Sequence, residues 1–427
     1  MKSTLQLVVA LLLFAYCTGC GQATPSDETS STPTAPKELT AADILGDPAY
    51  QAISYGGYRT NSRDVQPTIA ELKEDMKILH AMGIRLFRTY NVHFPHAANV
   101  LAAIRQLKEE NANFEMYVML GAWINCKDAF TANPDHNLED EAANTKEIQR
   151  AVELANQYDD IVKIIAVGNE AMVKWAASYF VQPGVIFKWV NHLQALKQTN
   201  KLPKDIWITS SDNFASWGGG GAEYHVEDLN RLIEAVDYIS VHTYPMHDTH
   251  YNPDFWGNTP SEDTLAKPEK IDMAMDRALD YAKAQYDSTV AYMSSLGIQK
   301  PVHIGETGWA SASNSFYGPA GSKATDEYKE GLYHQRMREW TDKANISCFY
   351  FEAFDENWKD AGNPGGSENH FGLFTIDGQA KYAIWDLVDA GTFEGLGRAG
   401  KPVGKTYGGD ENALLEEVLV PPVKDIK

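Results

Sequence analysis

The sequence predicts an α/β protein built as a single (β/α)8 TIM barrel. From about residue 50, short apolar runs rich in β-branched residues alternate eight times with amphipathic helical stretches. Runs such as IVKIIAV and ISCFYF are apolar at nearly every position, which is typical of parallel strands buried on both faces. The glycine-rich phosphate turn that an open doubly wound sheet would carry after its first strand is missing. The eight repeats therefore favour a closed barrel.

The predicted elements follow one another in order along the chain. We expect strands at residues 53–58, 84–91, 115–123, 161–170, 206–213, 238–244, 302–309 and 346–355. Apolar residues three or four apart, with charges opposite, predict helices at residues 69–82, 97–110, 144–158, 271–296 and 326–344. We assign the barrel to residues 46–390 and the Gly- and charge-rich residues 391–427 to a strap over its surface that ends in disorder.

The N-terminal segment predicts export and anchoring. Its apolar run at residues 5–16 is too short to span a bilayer and suits a secretory signal. The run ends in CTGC, which resembles a bacterial lipobox, so we expect removal of residues 1–19 and a lipid on Cys20. Plain cleavage and secretion is the alternative. Residues 20–45, rich in Ser, Thr, Pro and acid, predict a flexible tether. We expect a monomer at a bacterial outer membrane or cell surface, with the lipid as its only membrane contact.

Composition excludes several classes of partner. The chain has 58 acidic and 37 basic residues and a net charge of −21, which leaves no cationic excess to bind nucleic acid. A neutral polysaccharide is accordingly favoured over a sulfated or uronate-rich one.

Only Cys126 and Cys348 remain as thiols after processing, so no disulfide framework is expected. His242, His247 and His250 lie close in sequence but match no common zinc spacing, and we expect neither metal nor cofactor.

Two glutamates occupy the carboxyl ends of predicted strands 4 and 7, where barrels of this kind build their active sites. Glu170 ends the segment VGNE, and Glu306 lies in GETGW. A carboxylate at that depth is costly unless it is paired or hydrogen-bonded. Two such groups, on strands far apart around the ring, can face each other across a small gap. Retaining glycoside hydrolysis needs one protonated and one ionised carboxyl group about 5–5.5 Å apart. For either residue alone, a salt bridge or a helix cap is the alternative.

The motifs VGNE, GETGW, FYFEAFDENWK and FGLFTIDGQAKY resemble glycoside hydrolase family 17 of clan A, over about residues 50–385. The resemblance implies a retaining enzyme that cleaves β-1,3-glucans of the laminarin type. Related members of the family transfer glucan chains, so a β-1,3-glucanosyltransferase with the same double-displacement site is the alternative. It implies Glu170 as acid/base and Glu306 as nucleophile, with Glu356 and Lys359 near the active site. A non-catalytic glycan-binding protein is a third possibility, but a pure binder has no use for two buried, mutually repelling carboxylates.

Polar residues near the strand ends suit such a site. Asn169 can donate its amide to the 2-hydroxyl of the sugar, or it ties two strand ends together. Burial and the nearby charge of Glu306 favour the protonated form of Glu170. Tyr244 and Arg88 are the candidate donors that would stabilise ionised Glu306. The strand alternation places these two, together with Tyr90 and His242, toward the barrel axis. For the histidine, an ordinary buried role is the alternative.

Several tryptophans fall at or just after predicted strand ends. Flat aromatic faces suit the C–H faces of sugar rings, so we expect at least two of this group to contact substrate. The group comprises Trp123, Trp175, Trp217, Trp309 and Trp358. Trp309 and Trp358 lead, because they flank the catalytic positions. For any single member, packing within a loop is the alternative.

Overall fold

A closed barrel of eight parallel strands forms the centre of the protein, seen in a computed structural model that describes residues 38–424. Each strand pairs with its neighbours in sequence, and strand 8 closes on strand 1 through the pair Ala52–Phe349. Strands 1 to 8 are Gln51–Ser54, Ile84–Arg88, Tyr117–Ala122, Val162–Asn169, Trp207–Asn213, Ile239–His242, Val302–Thr307 and Cys348–Tyr350. The predicted TIM barrel is thereby confirmed.

Helices follow the strands and cover the barrel. The longer ones are Ile69–Ala81, His96–Glu110, Glu141–Gln157, Pro183–Gln198, Glu227–Ala235, Lys267–Ser295 and Glu327–Lys343. The side chains of Thr68, Asp140 and Asp326 cap three of them by accepting a backbone N–H of the first turn. Short helices are Ala41–Ile44, Pro245–Tyr251, Trp385–Asp389 and Glu411–Glu417. Within residues 38–424, no helix has the length and apolar character needed to cross a membrane.

The end of the predicted tether is folded. Residues Ala41–Ile44 form a helical turn in which Thr40 and Asp43 make a capping box. Ala41 and Ile44 are fully buried and cluster with inward-facing strand residues that include Ala52 and Phe349. The tether boundary at residue 45 is therefore wrong, because this apolar turn packs against the barrel interior. The predicted signal peptide, Cys20 and the tether up to residue 37 lie outside the described residues.

The strap folds back on the barrel. It forms a hairpin of Gly397–Arg398 with Lys401–Pro402, then the helix Glu411–Glu417. Arg398 is fully buried, and its guanidinium donates to both carboxylate oxygens of Asp75 at 2.8 and 3.1 Å. The strap is thus fixed by a buried bidentate ion pair, where the sequence predicted only an extended segment.

Replacing Arg398 with Ala should lower the free energy of unfolding by about 3 kcal/mol, because it leaves a buried carboxylate with one ion-pair partner fewer. Denaturant unfolding of the two proteins measures the difference. Lys401→Ala in the same hairpin is the control, since its pair with Asp377 is exposed and should contribute less than about 1 kcal/mol. Equal losses in both variants would contradict the assignment.

Candidate active site

Three donors converge on Glu306, which lies in strand 7 and is 7% exposed. Arg88 Nη1 donates to Oε2 at 2.7 Å and the Tyr90 hydroxyl to the same oxygen at 2.9 Å. The Tyr244 hydroxyl donates to Oε1 at 2.7 Å. Burial raises the pKa of Glu306, but the electrostatic effects of His242 and Arg88 and the two phenol hydrogen bonds outweigh it and lower the pKa. The site therefore favours the ionised carboxylate.

The two phenols keep their protons. Burial, with the charge of Glu306 beside them, raises the pKa of both Tyr90 and Tyr244 well above its usual range. Their hydroxyl groups therefore act as donors to the carboxylate. The sequence placed both residues toward the barrel axis, and in the structure both hydroxyl groups bond to the same side chain, that of Glu306.

Arg88 joins three strands at the mouth of the barrel. Besides Glu306, its guanidinium donates to the Gly305 carbonyl at 2.7 Å and to Oδ1 of Asn169. Its side chain is only 1% exposed. Because Arg88 occupies Oδ1, the amide group of Asn169 is the end available to a ligand. The polar ends of strands 2, 4 and 7 are thereby fixed relative to one another.

Glu170 follows strand 4 in an unusual backbone conformation. Its φ is +46°, and that of Gly168 is +80°, at a point where the ladder to strand 5 shifts register. The Glu170 N–H donates to the Ser211 carbonyl at 3.0 Å. A left-handed conformation is uncommon outside glycine, and such strain concentrates at functional sites. Glu170 therefore lies at a bend immediately after the last residue of strand 4.

His242 is the shared neighbour of the two glutamates. Its Nδ1 lies 3.1 Å from Oε1 of Glu170, and its Nε2 lies 2.8 Å from the Ser211 hydroxyl. The histidine is fully buried, whereas the Glu170 side chain is 24% exposed. Burial raises the pKa of Glu306, and the electrostatic effect of His242 opposes this and lowers it. The predicted histidine thus contacts one carboxylate and influences the other.

Glu356 and Lys359 lie after strand 8. Glu356 accepts the Tyr58 N–H at 3.1 Å and the Trp358 indole N–H at 2.9 Å. A Cβ at Gly56 would lie 2.1 Å from Oε1 of Glu356, so only glycine fits beside it. Lys359 lies between Glu356 and a second buried acid, Glu352, with which it forms an ion pair. Burial lowers the pKa of Lys359, but the charges of these two acids outweigh it and raise the pKa.

A cleft of about 460 Å³ opens from this cluster. Glu306, Asn169 and Tyr90 line it from the barrel mouth. Its remaining walls come from the segments that follow strands 1, 2, 3 and 8, and include Tyr55, Tyr58, Phe94, Trp123, Phe130, Phe351, Glu356, Trp358 and Lys359. Polar groups thus lie at the base of the cleft, with aromatic rings around them, as in carbohydrate sites.

Comparison with known proteins shows the family. Residues 52–372 match the BtgE/BtgC glycoside hydrolase domain. This chain is a member of that glycoside hydrolase family. A crystal structure of an endo-laminarinase from Formosa Hel1_33_131 is 67% identical, with a TM-score of 0.90, and the match covers 91% of this chain and 99% of that one. The resemblance to glycoside hydrolase family 17 is thereby confirmed.

Two more distant proteins also match this chain. A glucan 1,3-beta-glucosidase of Arthroderma benhamiae is 26% identical over 321 residues, which cover 73% of this chain and 83% of that protein. An active-site mutant of a Rhizomucor miehei beta-1,3-glucanosyltransferase, solved with laminaritriose, is 23% identical with a TM-score of 0.54, over 78% of this chain and 96% of that one. At this identity the second comparison supports the fold alone.

Only part of the predicted tryptophan platform lies in the cleft of this glycoside hydrolase. Trp123 and Trp358 line it. Trp309 is fully buried and donates to the Ala324 carbonyl at 2.8 Å, so the prediction that it contacts substrate is wrong. Trp217 is likewise fully buried, and its indole N–H donates to the Ser240 carbonyl at 3.1 Å. Trp175 is 60% exposed and is not among the cleft-lining residues.

Several cleft residues were not predicted from the sequence. Tyr58 was predicted as the last residue of strand 1 and Phe351 as an interior residue of strand 8, although Phe351 lies inside the motif FYFEAFDENWK. Phe130 lies in a hairpin loop after strand 3, where no periodic pattern marks it. His247, considered for a metal site, instead lies 3.6 Å from Glu368. Across residues 38–424 no cluster of His, Cys, Asp and Glu is arranged to hold a metal ion.

Tyr244→Phe should raise the pKa of Glu306, because it removes a donor that stabilises the ionised carboxylate. A lowered carboxyl pKa stabilises the fold above the unfolded-state pKa, and this contribution disappears as the pH falls and Glu306 is protonated. The variant should therefore lose about 2 kcal/mol of unfolding free energy at neutral pH and less in acid, as measured by denaturant unfolding across pH.

The matched control for this variant is Tyr333→Phe. Tyr333, in the helix Glu327–Lys343, is fully buried, but its hydroxyl bonds to Thr307 at the end of strand 7, at 2.7 Å, rather than to a carboxylate. Its loss should not vary with pH over the same acid range. A pH-independent loss in Tyr244→Phe would contradict the account of Glu306.

Proposed function

We propose that this glycoside hydrolase cleaves β-1,3-linked glucan of the laminarin type with retention of anomeric configuration. Its substrate is inferred from the Formosa protein, which is named an endo-laminarinase and is 67% identical along nearly its whole length. The glucan 1,3-beta-glucosidase of Arthroderma benhamiae supports the same linkage. One observation carries the mechanism. Glu306 is held by three donors at the mouth of a barrel where Glu170, on another strand, shares His242 as a neighbour.

In the first step Glu306 acts as the nucleophile. A carboxylate oxygen of Glu306 forms a bond to the anomeric carbon while the bond to the glycosidic oxygen breaks. Glu170 gives its proton to that departing oxygen, so the leaving chain departs as a neutral alcohol. Arg88, Tyr90 and Tyr244 keep Glu306 ionised before the attack. The product is a glycosyl ester of Glu306.

In the second step Glu170 acts as the base. Glu170 has given up its proton to the leaving chain in the first step, so it is ionised and can accept one from water. Glu170 accepts a proton from water, the water oxygen bonds to the anomeric carbon, and the ester bond breaks to restore Glu306. The Asn169 amide, left available by Arg88, suits the 2-hydroxyl of the reacting sugar.

The carboxylates can be tested by substitution. Glu306→Ala and Glu170→Gln should each lower turnover on laminarin by a factor on the order of 10³ or more, in protein that remains folded. Glu306→Ala should also lower the free energy of unfolding, because it leaves the buried Arg88 without its ion-pair partner. A substrate with a good leaving group should restore the first step to Glu170→Gln, which lacks only the proton donor, and not to Glu306→Ala. Glu110→Gln, at the exposed end of a helix, is the control. Near-normal turnover in either catalytic variant would refute the mechanism.

Product size separates hydrolysis from transfer in the same assay. The wild-type protein, given laminari-oligosaccharides at high concentration, should release only chains shorter than the input, because water is the acceptor. Products longer than the input would instead show that a sugar hydroxyl attacks the glycosyl ester. The identity to an endo-laminarinase, at 67%, supports water as the acceptor.

We further propose that the protein is monomeric and lipid-anchored at the bacterial cell envelope. The support is the apolar run at residues 5–16 followed by the lipobox-like CTGC ending at Cys20. Cys20→Ser should then move the protein from the membrane fraction to the soluble fraction of bacteria that express it, while its activity on laminarin stays the same. Membrane recovery of the variant equal to that of the wild type would contradict the anchor.

A further inference from the structure

Three aromatic rings form a continuous row that leaves the site, which we name the aromatic ridge: Trp123, Tyr179 and Phe130. The Trp123 and Tyr179 ring centroids lie 4.9 Å apart, and those of Tyr179 and Phe130 lie 5.6 Å apart with an angle of 29° between their planes. The hydroxyl of Tyr179 donates to the Asn169 carbonyl at 3.4 Å. The middle ring of the ridge therefore lies next to the residue that precedes the proposed acid/base, and Phe130 is one of the two outer rings.

Folding alone gives no reason for Phe130 at its position. Its side chain is 62% exposed, so it gains little from burial. Its backbone φ is +61°, a region that bulky side chains rarely adopt and that glycine or asparagine would occupy at lower cost. An exposed aromatic side chain held in a strained conformation points to a function.

The loop that carries Phe130 is fixed in place. It connects Cys126–Lys127 and Asp135–Glu139, the two strands of a small antiparallel hairpin. The Phe130 N–H donates to the Ser178 carbonyl at 2.7 Å, and the Cys126 N–H donates to the Tyr179 carbonyl at 3.1 Å. These bonds join the hairpin to the segment that follows Glu170. The Phe130 ring is therefore held in place before any substrate binds, with one of its faces packed against Tyr179.

Phe130 lines the same cleft as Glu306, Trp123 and Asn125. A flat ring with an open face suits the C–H face of a glucosyl unit and makes no demand for charge, as a neutral glucan requires. We propose that Phe130 forms a binding subsite for a glucosyl unit of a β-1,3-glucan chain at a distance from the bond that is cleaved. The subsite rests on the proposed function, and it predicts that long chains bind more tightly than short ones.

Chain length provides the test. In Phe130→Ala, kcat/KM should fall about five- to twentyfold on laminarihexaose, mainly through KM, because one stacking contact is lost. On a short chromogenic substrate, an aryl β-laminaribioside, the change should stay within about twofold, because this chain does not reach Phe130. Phe130→Trp should keep the preference for the longer substrate. Leu138→Ala, an exposed apolar change in the same hairpin outside the cleft, should leave both rates unchanged.

The outcomes separate the alternatives. An equal loss on both substrates would overturn the subsite and show that Phe130 positions the loop next to Glu170. No loss on laminarihexaose would also overturn it. Failure of the wild-type protein to cleave either substrate would instead refute the proposed function, and the subsite with it.

A binding measurement avoids dependence on turnover. Phe130→Trp, combined with Glu306→Gln to prevent cleavage, places an additional indole on the exposed end of the ridge. Its emission, compared with that of Glu306→Gln alone, should change when laminarihexaose is added and not when laminaribiose is added. The same emission change in both proteins would contradict contact at Phe130.

Discussion

The geometry of the site depends on one buried cation, the guanidinium of Arg88. It is almost fully removed from water, and it donates to the carboxylate of Glu306, the Gly305 carbonyl and the Asn169 side chain. Removing such a group from water costs several kcal/mol unless its hydrogen bonds are well made. The carboxyl ends of the strands that carry Arg88, Asn169 and Glu306 must therefore lie at the same level of the barrel. The closed barrel holds these strands in that alignment, and the positions of the polar groups in the cleft follow from it.

Around this cation the two glutamates have different surroundings. Glu306 is buried and accepts hydrogen bonds from three donors, whereas Glu170 has a left-handed backbone conformation, is 24% exposed and contacts His242. His242 in turn is oriented by the Ser211 hydroxyl at its other nitrogen. A double displacement needs one carboxyl group that stays ionised and one that exchanges its proton with the leaving chain and with water. The difference in exposure and partners matches that division of roles.

The strand framework was predictable, since polar residues end apolar runs and alternation places Arg88, Tyr90 and Tyr244 near the axis. Alternation fails where a strand ends early. Strand 8 was predicted to reach residue 355 but ends at Tyr350, so Phe351 lines the cleft while Phe354 stacks on Phe374 in the core. The burial of Trp309 was likewise hidden, because it depends on a loop that folds back to offer the Ala324 carbonyl.

The periodicity of apolar residues does not reveal contacts between residues that are far apart in the sequence. Arg398 contacts Asp75, which is 323 positions away in the sequence. The position of Phe130 depends on the hydrogen bond from its N–H to the Ser178 carbonyl. Such features lie in loops, whose conformations depend on what they pack against. The strands hold the groups that break a bond, while the hairpin after strand 3 adds a surface farther along the cleft. Changes in that hairpin can therefore alter which glucan chains are held without altering the chemistry at Glu306.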